Sequence, residues 1–202
     1  PLICVFFSSS SSSIVYIEQM MVLSRSNITC SRGIFDLLLS FHFIKIRIND
    51  ENFGDQARRL SNEKAEAISI KNPSAFVIGS DQTAEFNNKE VRKPLSIENA
   101  FIQLNELSGQ TLNFYSGVCL KNMQKNISTD AVVKFSVTYK KLSEDQIKNY
   151  LKIEDPTQCV GSIKSEGLGI TLLEEIRCND PTAVIGLPLI ELSQMFEKYG
   201  VI

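Results

Sequence analysis

Asp81 closes a short apolar run, "FVIGSD", and a carboxylate at the mouth of a buried strand sits where α/β proteins hold their ligands. Aspartate also ends strands because it suits turns, so the position alone leaves both explanations open. Lys64 sharpens the question. It lies four residues from Leu60 and from Ile68, on the apolar stripe of a predicted helix. A lysine on an inward face needs a partner there, or must snorkel along the helix edge. Lys93, in "VRKPL", follows Asp81 at the length of a hairpin return, so both lysines can offer point charges to phosphate oxygens. A surface charge ahead of a proline explains Lys93 as well. Asp50 and Glu51 in "NDEN" are paired carboxylates suited to a hard divalent cation, or simply a turn. Ser26 and Arg32 in "SNITCSR" can meet an anion at a helix N-terminus, or supply a cap beside a solvated arginine. The loop "GSIKSEGLG" can wrap a ligand with backbone N–H groups, or be an ordinary flexible connection.

The composition bounds what these residues can serve. A chain of 202 residues, 43% hydrophobic and 22% charged, has the make-up of a soluble globular protein with a substantial core. Its formal net charge of -2 provides no global basic field, which argues against a nucleic-acid polymer or an anionic membrane as partner. Any anionic ligand must be held by a few local cations. Trp is absent and His42 is the only histidine, which removes His-rich zinc sites and disfavours a Ser-His-Asp triad. The five cysteines, Cys4, Cys30, Cys119, Cys159 and Cys178, form no C-x-x-C and read as reduced thiols of a cytoplasmic protein. The first 20 residues run from an apolar heptad into six serines, with no Lys or Arg before Arg25. They lack the cationic start of a secretory signal and are too short in apolar length to span a bilayer. They are set aside as a leader or an artefact of unknown role, and residues 21–202 are taken as the domain.

The elements that must position these groups alternate between helix and strand. "SRGIFDLLLSF" has helical spacing, "FHFIKIRI" alternates as a strand, and a helix is predicted from Asp55 to Lys71 ahead of Pro73. Its apolar stripe uses Ala57, Leu60, Ala67 and Ile68. "SIENAFIQLNELSG" reads as a helix capped by Ser96 and stopped by Gly109. "TLNFYSGVCL" and "AVVKFSVTYKK" read as two long strands, the second with Val133, Phe135, Val137 and Tyr139 on one face. Ser143 and Gln146 form a capping box that opens a further helix. A last helix in "LPLIELSQMFEKYG" turns Leu189, Leu192, Phe196 and Tyr199 inward and stops at Gly200.

Taken in order, "NEKA", "IGSDQ", "KPL", "SG" followed by "FYSG", "CVGSIKSEGLGITL" and "DPTAVIGLPL" resemble the motifs of the Maf family of nucleotide pyrophosphatases. The match runs from about Val22 to the C-terminus, and "GSDQ" and "GSIKSEG" are similar to the branch that acts on 7-methyl-GTP. The resemblance implies a Maf/ITPase-like mixed α/β fold, with an elongated central sheet, helices and a cleft between two lobes. It also implies hydrolysis of a nucleoside triphosphate between its α and β phosphates, and a homodimer. On this resemblance Asp81 falls on the catalytic proton acceptor and Glu51 on the acid after the second strand; the two would share a Mg²⁺ or Mn²⁺ ion. Lys64, Lys93 and Arg32 match phosphate-handling residues, with Ser26 beside them. Cys30, Gln82 and Glu166 fall where the family sets base specificity.

The match thins in one place. The family's first motif reads like S-S-S-P-R-R, whereas "SNITCSR" has Thr29 for the proline, Ser31 for the first arginine and Cys30 for an aromatic. A charge-assisted contact contributes about 1.5–3 kcal/mol, so the loss bears on triphosphate affinity. Three readings stay open. One is a pyrophosphatase that clears modified nucleotides; one is the sibling dTTP/UTP specificity, which Gln82 and Glu166 disfavour. The third is a nucleotide-binding regulator without hydrolysis, linked through the family to septum formation.

Overall fold

The computed structural model describes Ile3–Phe6 as backbone, Ile48, and residues 51–202. The centre is one six-stranded sheet in the order β1-β2-β4-β5-β6, with β3 paired to the end of β2. Its long members are β2 (Phe76–Phe86), β4 (Thr111–Asn122) and β5 (Ile127–Tyr139), which run antiparallel to one another in that order. The two-residue β3 (Lys89–Glu90) returns along β2, and β6 (Leu173–Arg177) lines the far edge of β5. The other edge is formed by residues from the stretch that the sequence leaves without a role. Ile3–Phe6, β1, pairs in parallel with Phe76–Gly79 of β2. "ICVF" is apolar and rich in β-branched residues, and it satisfies a row of β2 backbone groups that would otherwise face outward.

Helix α1 (Phe53–Ser69) covers one face of the sheet. It begins two residues before the predicted start because Asn52 is its cap, accepting from the Asp55 N–H at 2.8 Å. Ala57, Leu60 and Ile68 are buried as the spacing predicts, with Ala65 in place of the half-buried Ala67. Two strand glycines set how closely this helix lies. A Cβ on Gly79 would stand 2.2 Å from the Ser61 carbonyl oxygen, and one on Gly117 would stand 2.4 Å from that of Ala57. Neither position has room for a side chain, so helix backbone rests directly on strand backbone.

The opposite face carries the remaining helices. Helix α2 (Ile97–Leu107), capped by Ser96, and α3 (Glu144–Ile153), opened by the predicted Ser143–Gln146 capping box, enclose the larger core. Leu104, Leu107, Ile147 and Tyr150 meet Leu112, Phe114 and Phe135 there, and the two phenylalanine rings stack at 4.9 Å. Helix α4 (Leu189–Lys198) buries Leu192, Met195 and Phe196 against Phe76, Ile78, Val118 and Leu120. Among the described residues no helix is long and apolar enough to cross a membrane. The predicted helix in "SRGIFDLLLSF" and strand in "FHFIKIRI" lie outside the described residues.

The close seating of α1 makes a direct prediction. Gly117→Ala is expected to lower unfolding stability by about 2–3 kcal/mol, as overpacking against backbone does, read from the urea midpoint. An unchanged midpoint would show that α1 has slack at this crossing.

Candidate functional site

The close seating of α1 delivers Lys64 to Asp81. Lys64 is 5% exposed and Asp81 2%. The Lys64 ammonium pairs with Asp81 Oδ1 and donates to the Ser80 carbonyl at 3.0 Å. The inward lysine therefore has its partner, and the expected strand end is corrected: β2 runs on past Asp81 to Phe86, so the carboxylate sits in mid-strand and no turn accounts for it. Asp81 lies opposite Gly117 in the β2–β4 register, which opens the space above it for the helix.

Glu51 precedes α1 and is bound by Arg59, one of the helix's own residues. Arg59 Nε donates to Glu51 Oε1 at 2.8 Å and Nη2 to Oε2 at 2.9 Å, while Nη1 reaches Glu63 at 3.0 Å. The hydrogen bonds to Glu51 raise the Arg59 guanidinium well above its ordinary range, against the opposing effect of burial. This fork-to-fork pair occupies both Glu51 oxygens. Among the described residues no group of three or more His, Cys, Asp or Glu side chains is arranged to hold a metal ion. Asp81 fits a hard cation held mostly by phosphate oxygens and water; Glu51, bidentate to Arg59, fits such an ion less well.

Alternation along β2 sends Gln82 to the other face. Its amide donates to Ser116 Oγ at 2.8 Å and to the Ala183 carbonyl at 3.0 Å. Ser116 Oγ donates to the same carbonyl at 2.9 Å, and Ser80 Oγ reaches Gly186 O at 2.6 Å. These three side chains fasten the 3₁₀ turn Pro181–Ile185 to the sheet behind Asp81. Asp180, 3% exposed, finishes the job by accepting from the Ile190 N–H at 2.8 Å, the entry to α4.

The "GSIKSEGLG" loop is well tethered. Tyr139 Oη donates to Gly161 O at 2.8 Å, the Lys164 N–H donates to Tyr150 Oη at 3.1 Å, and the Leu168 N–H donates to Glu154 Oε1 at 3.1 Å. A Cβ at Gly167 would stand 2.5 Å from that Glu154 oxygen, so glycine leaves the Glu154 carboxylate where it is. The neighbouring Glu166 is thereby presented on an exposed turn. Lys93, half-buried, sits on a segment tied to the same region by the Leu95 N–H, which donates to Thr157 O at 3.0 Å. Cys159 reports on the common surroundings. Burial pushes its thiol up to about 11, with Glu166 adding to the rise and Lys164 and Lys93 opposing it.

The structure thus joins Asp81 to Lys64, puts Lys93 and Glu166 around one thiol, and places Glu51 on Arg59 and Gln82 on the reverse face. Ser26, Cys30, Arg32 and Asp50 lie outside the described residues. Arg59, Glu154 and Ser116 escaped the sequence reading. Only Ser116, inside "FYSG", stood in a motif; the other two are surface-type residues whose partners are eight and fourteen positions away.

Comparison with known proteins closes the question of kinship. A model of Maf-like proteins matches residues 33–199. A 7-methyl-GTP pyrophosphatase of Colwellia psychrerythraea is 41% identical over 170 residues, covering 82% of this chain and 85% of that protein. Proteins of the same name from Nitrosococcus oceani and Hydrogenovibrio crunogenus are 45% and 46% identical, over 70% and 73% of this chain and 71% and 74% of their own lengths. With its motifs, its sheet and relatives of this closeness in agreement, the chain belongs to the Maf family.

Proposed function

We propose that this protein hydrolyses 7-methyl-GTP to the monophosphate and pyrophosphate, acting in the cytoplasm to remove a modified nucleotide. The observation that carries the reading is the buried Lys64–Asp81 pair midway along β2, in a chain whose relatives are named for that reaction. Asp81 accepts the proton of the attacking water as its oxygen bonds to the α phosphorus. The α–β bridging bond breaks, and pyrophosphate leaves with its electron pair. Lys64 orients Asp81 from above and, with Lys93 and Arg32, offsets phosphate charge. Asp81 would hold a Mg²⁺ or Mn²⁺ ion, which would supply further neutralisation of the phosphates when bound. Glu51 serves by keeping Arg59 in place beside the entry to α1. Glu166, with Cys30 and Gln82, sets the base preference. Its carboxylate is suited to the N1–H and exocyclic amine of guanine and to the positive charge that methylation adds.

Pyrophosphate release from 7-methyl-GTP, GTP, dTTP, UTP and CTP tests this reading. Strong turnover of 7-methyl-GTP is expected, and Asp81→Asn is expected to reduce kcat by about a hundredfold or more, the usual loss of a general base. A folded wild type that releases pyrophosphate from none of the five would remove the hydrolase reading and leave nucleotide binding. Glu166→Gln is expected to lower the ratio of kcat/KM for 7-methyl-GTP over GTP about tenfold, since a charge-assisted contact becomes a neutral one. An unaltered ratio would assign base selection elsewhere.

A further inference from the structure

Two segments that carry residues assigned above to the nucleotide come from separate parts of the chain. Arg92, Lys93 and Leu95 follow β3, and residues 157–168 follow α3. Each contains a non-glycine residue in left-handed backbone, Leu95 at φ 64° and Ser162 at φ 56°. Such residues persist only where their surroundings impose the conformation, and they concentrate at functional sites. Gln103, projecting from α2, touches both segments. Its Nε2 donates to the Arg92 carbonyl at 3.0 Å, and its Oε1 accepts from Ser162 Oγ at 2.7 Å. An amide is suited to this because one side-chain end offers a donor and an acceptor.

We propose that Gln103 is a positioning residue that holds the phosphate-side Lys93 and the base-side Glu166 in register with each other. One end of its amide fixes the peptide before Lys93, and the other fixes the strained turn four residues before Glu166. The inference rests on the nucleotide reading given above, which assigns those two residues to opposite ends of one ligand. A triphosphate that reaches from a lysine to a carboxylate binds well only if the distance between them is set in advance.

The test compares wild type, Gln103→Met and Gln103→Glu in the full chain. Methionine removes both bonds at similar volume, whereas glutamate keeps the acceptor for Ser162 and turns a second acceptor toward Arg92 O. Asn105→Ala is the control, since that amide on the same helix donates to Phe101 O within α2. KM and kcat are measured for 7-methyl-GTP, and backbone hydrogen exchange is followed at residues 92–95 and 157–163. Gln103→Met is expected to raise KM about fivefold, the effect of one lost hydrogen bond, with kcat little changed. Exchange should quicken in both segments together, and Gln103→Glu should loosen residues 92–95 more than Ser162. Asn105→Ala should alter neither KM nor exchange in these segments. An unchanged KM in an active enzyme, or exchange that quickens in only one segment, would overturn the inference. A wild type without turnover would defeat the hydrolase reading instead, and joint or separate loosening would still decide whether Gln103 couples the two segments.

Discussion

The buried ion pair between Lys64 and Asp81 constrains everything around it. Taking either charge out of water alone costs several kcal/mol, and removing one partner of such a pair typically costs about 3–5 kcal/mol. The pair therefore persists only where helix and strand are close enough for a direct contact. Gly79 and Gly117 provide that closeness by leaving no side chain between α1 and the sheet. The β2–β4 register then matters as much as composition, because it is what sets Gly117 opposite Asp81. A one-residue slip would move the carboxylate to the face that carries Gln82.

The two faces of the sheet divide the work according to charge. On the α1 face, ionic groups are matched within short reach: Lys64 with Asp81, and Arg59 with Glu51 and Glu63. Behind Asp81, neutral hydroxyl and amide groups fasten the Pro181–Ile185 turn through Ser80, Gln82 and Ser116. Neutral bonds suit that role, since they satisfy buried carbonyls without adding charge behind the buried Lys64–Asp81 pair.

Much of this was legible in the residues because the signals are local. The Ser96 cap, the capping box at Ser143, the alternation of Val133 to Tyr139 and the inward stripe bearing Lys64 each depend on neighbours a few positions away. The hidden parts depend on distant contacts. Gln82 reads beside Asp81 as a residue of base specificity; strand alternation gives its amide a partner in Ala183, 101 positions on. "GSIKSEGLG" resembled a flexible loop because glycine dominates its composition. Its order comes from Tyr139, Tyr150 and Glu154, which no local pattern reveals. Ile3–Phe6 was set aside because charge and length were judged against export signals, while its fitness as an edge strand depends on β2.

Pairing of cations with carboxylates has a consequence for ligand binding. Lys64, Arg59 and Lys164 each rest against Asp81, Glu51 and Glu154 respectively. These pairs keep cations at fixed positions without leaving a lone buried charge. On the function proposed above, an incoming triphosphate would compete for lysine donors already engaged, so its gain would be a difference between two sets of contacts rather than the full strength of either. Discrimination would follow from the same arithmetic. Phosphates common to all nucleotides would be recognised against this internal competition, and a cationic base approaching exposed Glu166 would meet less of it. The balance would favour the nucleotide whose base contributes attraction of its own.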